Sequence, residues 1–583
     1  MIEETYDVVV VGSGAAGLTA AVTASLEGKR VLLLEATDRV GGTTAISGGM
    51  VWLPANHKMQ EAAIADSEAD ARRYLEQTVP GAMNDRKMDI FLKSCDAVLR
   101  YLEARTSVKL QPVKRYPDYY PDLQGAKEGA RVLEPVVFDG LELGKDFRLL
   151  RDPLPEFLLF GGMMISREDI PRLRRFARSP GAAWHVMKLV GRFLLQRLRA
   201  HRGTTLVLGN ALAARLFKSA RDLGVDIVTS AQVLRLTRDA DRVDGVEFSL
   251  NGQRRKAGAR NAVILATGGL SHDEQLRSRY VPQAAGSLSA TVNAQSPLRG
   301  ARLASRASAA LSPPSGGVDD AMAFWVPAST WKRSDGTLAL FPHTVTDRAK
   351  PGLIAVGSNG RRFVNEAVSY HEFVRAQLRH AEAAIPAWLI CDSRFLWKYG
   401  LGRVRPFSLT TQRDVAEGYL KKASSLQELA SQIGVDAGNL LGTIEQFNNA
   451  ARNGEDPEFS RGANVYQRHL GDGDHAPNPC VAPIESAPFY AVCVTPADLG
   501  MSAGIMTNEY AQALRQDGSV IPGLYACGND MHSIMNGAYP GPGITLGPAL
   551  VFGHIAGLHA ANPSAADELH RTVSEATAST CPQ

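Results

Sequence analysis

Cysteine is scarce in this 583-residue chain. Its six cysteines (Cys95, Cys391, Cys480, Cys493, Cys527 and Cys581) form no CxxC pair and no metal-ligand spacing. A disulfide scaffold and a zinc module are thereby excluded, no metal site is expected, and free thiols in a reducing, cytoplasmic setting are the expectation. Charge of one sign is also missing. The net charge is only +4, so nothing global points to a nucleic-acid partner. No uncharged apolar run reaches the ~18 residues of a membrane span. The opening "MIEETYDVVVVGSG" has no basic stretch before its apolar run, so no signal peptide is expected there. Internal repeats and low-complexity segments are absent, and the tail "ATASTCPQ" is expected to fray. What remains is 45% hydrophobic and 21% charged residues, a globular balance in a chain long enough for more than one domain.

The first motif stands at the N-terminus. "YDVVVVGSGAAGLTAAVTASLEGKRVLLLEA" reads as strand, tight turn, helix and strand. Val8 to Val11 form a continuous β-branched run, as a strand buried on both faces requires. Gly12, Gly14 and Gly17 make G-x-G-x-x-G ahead of an Ala- and Leu-rich helix over 15–26. Val31 to Leu34 follow as the second strand, with Glu35 at its end. Gly12 permits the turn, Gly14 lets a pyrophosphate approach the backbone, and Gly17 lets the helix pack close to the strand. The helix N-terminus faces the phosphates. Glu35 would accept hydrogen bonds from a ribose and disfavour a 2′-phosphate.

The continuation favours FAD over NAD. "DRVGGTTAISGGMVWLPAN" is a Gly-, Ser- and Thr-rich loop that suits a second phosphate and a flavin, where a nicotinamide domain would move straight into its next unit. "AVILATGG" (Ala262 to Gly269) and "GSVIPGLYACGND" (Gly518 to Asp530) are further strands ending in glycine turns. They lie far apart, so the cofactor domain is discontinuous. The set "GSGAAG", "GGTTAISGG", "ATGG" and "GLYACGND" resembles, in order, the FAD-binding domain of the fumarate reductase and 3-ketosteroid dehydrogenase flavoprotein superfamily. That resemblance covers most of the chain and implies non-covalent FAD. The expected contacts are Gly12, Gly14, Ala15, Ala16, Gly17, Glu35, Ala36, Gly41, Gly42, Thr43, Thr44, Ser47, Gly48 and Gly49 in the first segments. Val233, Ala266, Thr267, Gly268, Gly528, Asn529, Ile544 and Leu546 complete them.

The implied fold is α/β: a discontinuous Rossmann-like FAD-binding domain with an inserted α+β domain that caps the substrate. Residues 1–285 and 495–565 would form the cofactor domain, 286–494 the substrate domain and 566–583 a tail. "VDIVTSAQVLRL" (Val225 to Leu236) is expected as an adenine-side strand, and the last helix should run from about Ile544 to Ala560. A basic helical insertion occupies about 140–205. From Arg167 to Arg202 it carries ten Lys and Arg against Glu168 and Asp169, with Val186, Leu189, Val190, Phe193, Leu194 and Leu198 interleaved. Two readings stand: a solvated helix with one face on the core, or a basic amphipathic helix lying on an anionic membrane at its inner face.

Tyrosines form the second constellation. "RYPDYYPDLQG" (Arg115 to Gly125) holds Tyr116, Tyr119 and Tyr120, "GSNGRRFVNEAVSYHEF" (Gly357 to Phe373) holds Tyr370 beside His371, and "NGAYPGPGITLGPAL" (Asn536 to Leu550) holds Tyr539. Gly543 opens the last helix, which leaves its N–H free to donate. These three segments resemble the 3-ketosteroid Δ1-dehydrogenases, with their "PDYYP", "GRRFVNE…Y" and "YPGPG" motifs. The resemblance implies that Tyr539 and the Gly543 N–H bind a ketone oxygen, that Tyr370 is the base and that Tyr119 supports it, with Tyr120 as the alternative one position on. The chemistry suits the residue types. A C–H beside a ketone becomes acidic only if negative charge can move onto oxygen, which two neutral donors stabilise. A phenol acts as a base near neutrality only if its phenolate is stabilised, for example by a second phenol. The hydride on the neighbouring carbon would leave for flavin N5, giving an α,β-desaturated ketone.

His371, Asn365 and Glu366 are expected to fix local structure. His343 and Arg348, in "FPHTVTDR", are expected as exposed loop residues, with substrate anchoring as the alternative. A fumarate or succinate enzyme would need cations for two carboxylates. The superfamily's "HPTG" segment is absent here, the sequence being "PHTV". A ketosteroid Δ4-(5α)-dehydrogenase would carry Tyr-Ala-Ser-Gly in place of "YPGPG". A dehydrogenase of smaller alicyclic ketones uses the same groups and stays open, and a non-enzymatic flavin scaffold is the rival from another class. No second GxGxxG opens an NAD domain, so a quinone or another carrier is expected to take the electrons.

Overall fold

The computed structural model describes residues 3–81, 86–174, 176, 179–294 and 299–578. Strand Glu3–Val11 pairs in parallel with Val31–Leu34 on one side and Gln253–Leu265 on the other. Asp226–Val228 extends the sheet at one edge and Val520–Ala526 with Gln512–Leu514 at the other. With Arg242–Leu250 on Gln253–Leu265 and Ala231–Asp239 on Arg242–Leu250, strands from both ends of the chain share one eight-stranded sheet, and in register Val11 stands opposite Leu34 and Leu265, and Leu265 opposite Ala526. The residues that follow these four strands are Gly12, Glu35, Ala266 and Cys527. The glycine motifs therefore gather at one carboxyl edge, where open α/β sheets bind their ligands.

Alternate residues explain the layers. Val8, Val10, Leu33 and Ile264 pack with helices Ala15–Leu26, Leu208–Asp222 and Leu546–Ala561, while Val9, Val11, Leu32 and Leu34 pack with strands Ala231–Asp239 and Arg242–Leu250. Burial on both faces selects the unbroken apolar runs. The first and last of these helices touch backbone to backbone. A Cβ at Gly553 would stand 2.6 Å from the Ala16 carbonyl oxygen, and one at Gly557 2.4 Å from that of Ala20.

A second, antiparallel sheet runs Leu338–Pro342, Ala323–Lys332, Phe489–Met501, Ala387–Cys391, Leu353–Val356, with Leu420–Ala423 also on Phe489–Met501. Its long strand runs from Phe489 to Met501, across residue 494. Two expectations are corrected, the single strand over 225–236 and the exposure of His343 and Arg348. Residues 225–236 form two strands, Asp226–Val228 and Ala231–Asp239, because the backbone breaks at Ser230 (φ +54°). Helix Pro563–Ala578 occupies most of the segment read as a tail, and residues 579–583, including Cys581, lie outside the described residues. His343 and Arg348 are fully buried, not exposed.

In the basic insertion, helix Pro180–Arg197 buries Ala182 and Phe193, the latter against Gly162 and Gly203. Trp184, Met187, Leu194, Leu195 and the adjoining Leu198 are exposed, Leu198 by 82%. At 100° per residue they share one side of the helix, opposite Phe193. Arg175 and Arg178 lie outside the described residues. Among the described residues no helix is long and apolar enough to cross a membrane.

Candidate active site

At the carboxyl edge of the first sheet, Gly12 turns with φ +108°, and a Cβ there would meet the Ala266 carbonyl oxygen at 2.2 Å. A Cβ at Gly17 would meet the Gly12 carbonyl oxygen at 2.0 Å, so the helix can start this close only with glycine at both positions. Gly14 instead opens onto free space, its nearest neighbour being Thr44 Oγ1 at 3.9 Å. Thr44 Oγ1 accepts the Ala15 N–H (3.0 Å), and Gly41 N–H donates to Ser13 Oγ (3.0 Å). This is a bare-backbone cradle at a helix N-terminus, and it fits a dinucleotide pyrophosphate.

Glu35 is buried at its edge. The carboxylate accepts from Ser13 N (3.1 Å), Ser13 Oγ (2.5 Å), Thr37 N (2.9 Å) and Thr37 Oγ1 (2.8 Å). All of its acceptor positions are taken. A ribose would bond there by exchange with one of the two hydroxyls, which can rotate.

The remaining expected contacts divide. Thr267 and its neighbours are tied to Asp530, which accepts from Thr267 Oγ1 (2.9 Å), from the Thr267 N–H and from Gly269 N (3.0 Å). Burial pushes the Asp530 carboxyl up. Gly268, Gly528 and Asn529 adjoin that knot, and Thr43 Oγ1 accepts the Val292 N–H. Gly49 packs on the backbone of Leu208 and Gly209 and Gly48 is exposed, so this end of the loop is spent on helix Leu208–Asp222. Val233 is buried beneath the sheet.

The tyrosines come together. Ser369 caps helix Tyr370–Arg379, accepting the Glu372 N–H (3.2 Å), which fixes Tyr370 as its first residue. Tyr119 Oη donates to Tyr370 Oη at 2.8 Å, whereas Tyr120 Oη donates to Glu372. Tyr539 stacks on Tyr119 (centroids 5.6 Å, 16°), and its ring lies 5.2 Å from Tyr370. Phe324, on the second sheet, meets Tyr539 edge-on at 5.5 Å. Gly543, at φ +93°, has no room for a side chain: a Cβ would stand 2.5 Å from the Met50 carbonyl oxygen. Its own carbonyl accepts from Trp52 and Gly547, while among the described residues nothing accepts its N–H. Helix Leu546–Ala561 begins three residues later than Gly543, and Ile544 and Leu546 lie at that junction.

Burial pushes the Tyr119 and Tyr370 phenols well up and Tyr539 to about 12, while the bond from Tyr119 pulls Tyr370 back down. His371 is buried, accepts the Trp325 N–H at Nδ1 (3.2 Å) and falls to about 4 through desolvation. Neutral imidazole therefore packs beside Tyr539. His343 bonds Asp347 (2.6 Å) and Ser329 (2.7 Å), and Arg348 donates to the carbonyls of His343, Thr344, Glu366 and Val368. Both serve the interior. Glu366 pairs with Arg362 and Arg461, and Asn365 bonds its own turn at Ala367.

Sequence reading missed four residues. Tyr74 holds the Tyr539–Gly543 loop from outside any motif, Trp52 holds it from the end of the Gly-rich loop segment where no role was read for it, and Phe324 belongs to an ordinary apolar strand. Tyr466 packs on Tyr119 (4.9 Å), its buried hydroxyl without a hydrogen-bond partner among the described residues. A Pro-flanked tyrosine carries a signal; a tyrosine on an ordinary helix carries none.

Fold and cradle define a dinucleotide-binding flavoprotein. A family model described as an FAD binding domain matches residues 7–546. The chain is 37% identical to 4-oxocyclohex-2-ene-1-carboxylate 5-dehydrogenase of Sinomonas cyclohexanicum, over 97% of this chain and 95% of that one. It is 34% identical to 3-oxosteroid 1-dehydrogenase of Mycolicibacterium smegmatis, over 97% and 99%. The solved structure of 3-ketosteroid delta1-dehydrogenase from Sterolibacterium denitrificans, in complex with 1,4-androstadiene-3,17-dione, superposes with a TM-score of 0.88 at 36% identity, covering 96% of this chain and all of that one. The protein belongs to the FAD-binding flavoprotein oxidoreductases, in the branch that contains the 3-oxosteroid 1-dehydrogenases. FAD is its cofactor.

Proposed function

We propose that the protein desaturates a 3-ketosteroid between carbons 1 and 2. The observation that carries this is the Tyr119–Tyr370 hydrogen bond beside Tyr539, with the Gly543 N–H left open. Tyr539 Oη and the Gly543 N–H donate to the ketone oxygen and stabilise the charge that develops on it. Tyr370 takes the α-proton, and Tyr119 donates to the resulting phenolate-like oxygen. Phe324, Tyr466 and the ring of Tyr119 keep water from the reacting carbons. Bound FAD supplies the hydride acceptor. Residues 1–285 and 495–565 hold it, through the Gly12–Gly17 cradle, Glu35 and the Thr267–Gly268 and Gly528–Asn529 turns, while 286–494 cover the substrate.

A second reading is a smaller alicyclic keto acid, favoured by the relative named for a cyclohexenecarboxylate. Arg167, whose guanidinium lies 5.2 Å over the Tyr116 ring and pairs with Glu134 (3.4 Å), is a cation that such a carboxylate could share. Against it stands the exposed apolar side of helix Pro180–Arg197, with Lys188, Arg192 and Arg199 beside it. That surface suits an anionic bilayer, the phase in which sterols partition, and a quinone acceptor would be met there. Work at the cytoplasmic membrane face follows. The test is anaerobic mixing with androst-4-ene-3,17-dione, cholest-4-en-3-one and 4-oxocyclohexanecarboxylate, watching flavin absorbance. Fast bleaching by a steroid supports the first reading. Bleaching by the keto acid alone replaces it with the second.

A further inference from the structure

We infer that Tyr74 is a positioning residue of the reaction, holding the Tyr119 loop and the Tyr539–Gly543 loop in register through the Pro540 carbonyl. The inference rests on the proposed roles of Tyr119, Tyr370 and Tyr539. Tyr74 is fully buried on helix Glu68–Thr78. Its hydroxyl donates to Pro540 O at 2.5 Å and accepts the Tyr120 N–H at 3.2 Å. The same Pro540 oxygen accepts the Tyr119 N–H at 3.0 Å. One carbonyl, next to the tyrosine that would bind the ketone, is thus tied to the residue that would support the base and, through Tyr74, to that residue's neighbour.

The opposite side of the knot is closed too. Trp52 donates through Nε1 to Asp118 (2.9 Å) and through its backbone to Gly543 O (3.1 Å). Asp118 is paired with Arg131 (2.7 Å), which also holds Asp66 (2.6 Å). A Cβ at Gly541 would stand 2.9 Å from Trp52 Nε1, so the loop has no slack on that side. Tyr74 is the hydroxyl that bonds both loops at once, through Pro540 O on one and the Tyr120 N–H on the other. The Tyr119 and Tyr120 hydroxyls point instead to Tyr370 and Glu372. The donors to the ketone and the base must be held to within a fraction of an ångström for the proton to be taken and the charge on the ketone oxygen to be held. Tyr74 and Trp52 supply that constraint from opposite sides.

Tyr74→Phe in the holoenzyme keeps the ring and removes both bonds. Turnover is expected to fall ~10-fold or more. Binding of the enone product, read from the perturbed flavin spectrum, should weaken with it, while FAD content stays that of the parent. The distinguishing reading is a double-mutant cycle. If Tyr74 acts through the Tyr119 register, Tyr74→Phe should cost several-fold less in a Tyr119→Phe background. Turnover within about twofold of the parent, or losses that simply add, would overturn the inference. Gly541→Ala is the second variant. It pushes the same loop against Trp52 with the Tyr74 bonds intact, and should also weaken product binding. Unchanged product binding there contradicts the register argument even if Tyr74→Phe cannot be recovered with FAD. Failure of the parent reading looks different: Tyr370→Phe itself would then stay active.

Discussion

Tyr119 and Tyr370 are 251 residues apart in sequence and share a 2.8 Å hydrogen bond, their rings nearly perpendicular at 83°. One comes from a Pro-rich loop and the other from the first turn of a helix. Tyr119 is the donor, so it lowers the Tyr370 phenol, while Tyr370 raises that of Tyr119; the support runs one way.

Tyr370→Phe removes the only group of the pair placed to accept the α-proton. Turnover should fall by ~10² or more, on the scale of general-base catalysis. Exchange of substrate α-hydrogen with deuterated water should vanish with it. A variant with near-normal turnover would move the base elsewhere, with Tyr120 and His371 the next residues to test.

Tyr539→Phe leaves the Gly543 N–H as sole donor to the ketone oxygen. The lost bond acts on the bound ketone and more strongly on the enolate. KM should therefore rise and turnover fall together, the latter by ~10²–10³. Steady-state kinetics with one steroid decide it, since a rise in KM alone would make Tyr539 only a binding group.

The pH dependence has a definite sign. Burial raises the Tyr370 phenol, so the basic form is scarce at neutral pH and activity should rise toward alkaline pH. The bond from Tyr119 works against that rise. Tyr119→Phe should thus shift the activity limb to higher pH with a milder loss at its plateau. His371, lowered to about 4, should leave no inflection between pH 6 and 9. A limb that stays in place in Tyr119→Phe would assign it to another group.

FAD should leave the protein on acid denaturation, with no colour on the precipitated chain. Glu35→Ala should weaken FAD affinity, by loss of the ribose acceptor and by loosening Ser13 and Thr37, and leave turnover at saturating FAD unchanged. Titration of the apoprotein with FAD measures both.

The exposed side of helix Pro180–Arg197 should make the protein co-sediment with anionic vesicles at low salt and detach at high salt. Leu194→Glu with Leu198→Glu, both at exposed positions, should abolish sedimentation without altering FAD content. Equal binding to neutral vesicles, or none to either, would leave an ordinary solvated helix.

The sequence was most informative where a residue type is forced. Gly12, Gly17 and Gly543 are required by contacts at 2.0–2.5 Å, and such requirements leave a readable pattern. Helix Ala15–Leu26 and strand Val31–Leu34 stand where the Ala- and Leu-rich run and the apolar run after the glycine motif put them. Whether Tyr119 or Tyr120 meets Tyr370 was not legible, because adjacent residues differ only in the direction the loop gives them. Trp52, Tyr74 and Tyr466 were invisible for a related reason: their roles come from tertiary contact, and their local sequence is that of ordinary strands and helices. The loop composition around His343 and Arg348 suggests exposure, but hydrogen bonds to Asp347 and to four carbonyls make their burial tolerable.

Strand Val520–Ala526 lies beside Gln253–Leu265, which lies beside Glu3–Val11. A ribosome emits these three pieces in order, with most of the described chain between the first and the last. At ~5–20 residues per second the first strand waits roughly half a minute to two minutes for the last. Through that interval the nascent chain carries an unfinished sheet whose glycine cradle lacks the Gly528–Asp530 turn. With the Gly528–Asn529 turn holding FAD as proposed, cofactor loading waits for that turn, and chains released before Val520 should emerge colourless.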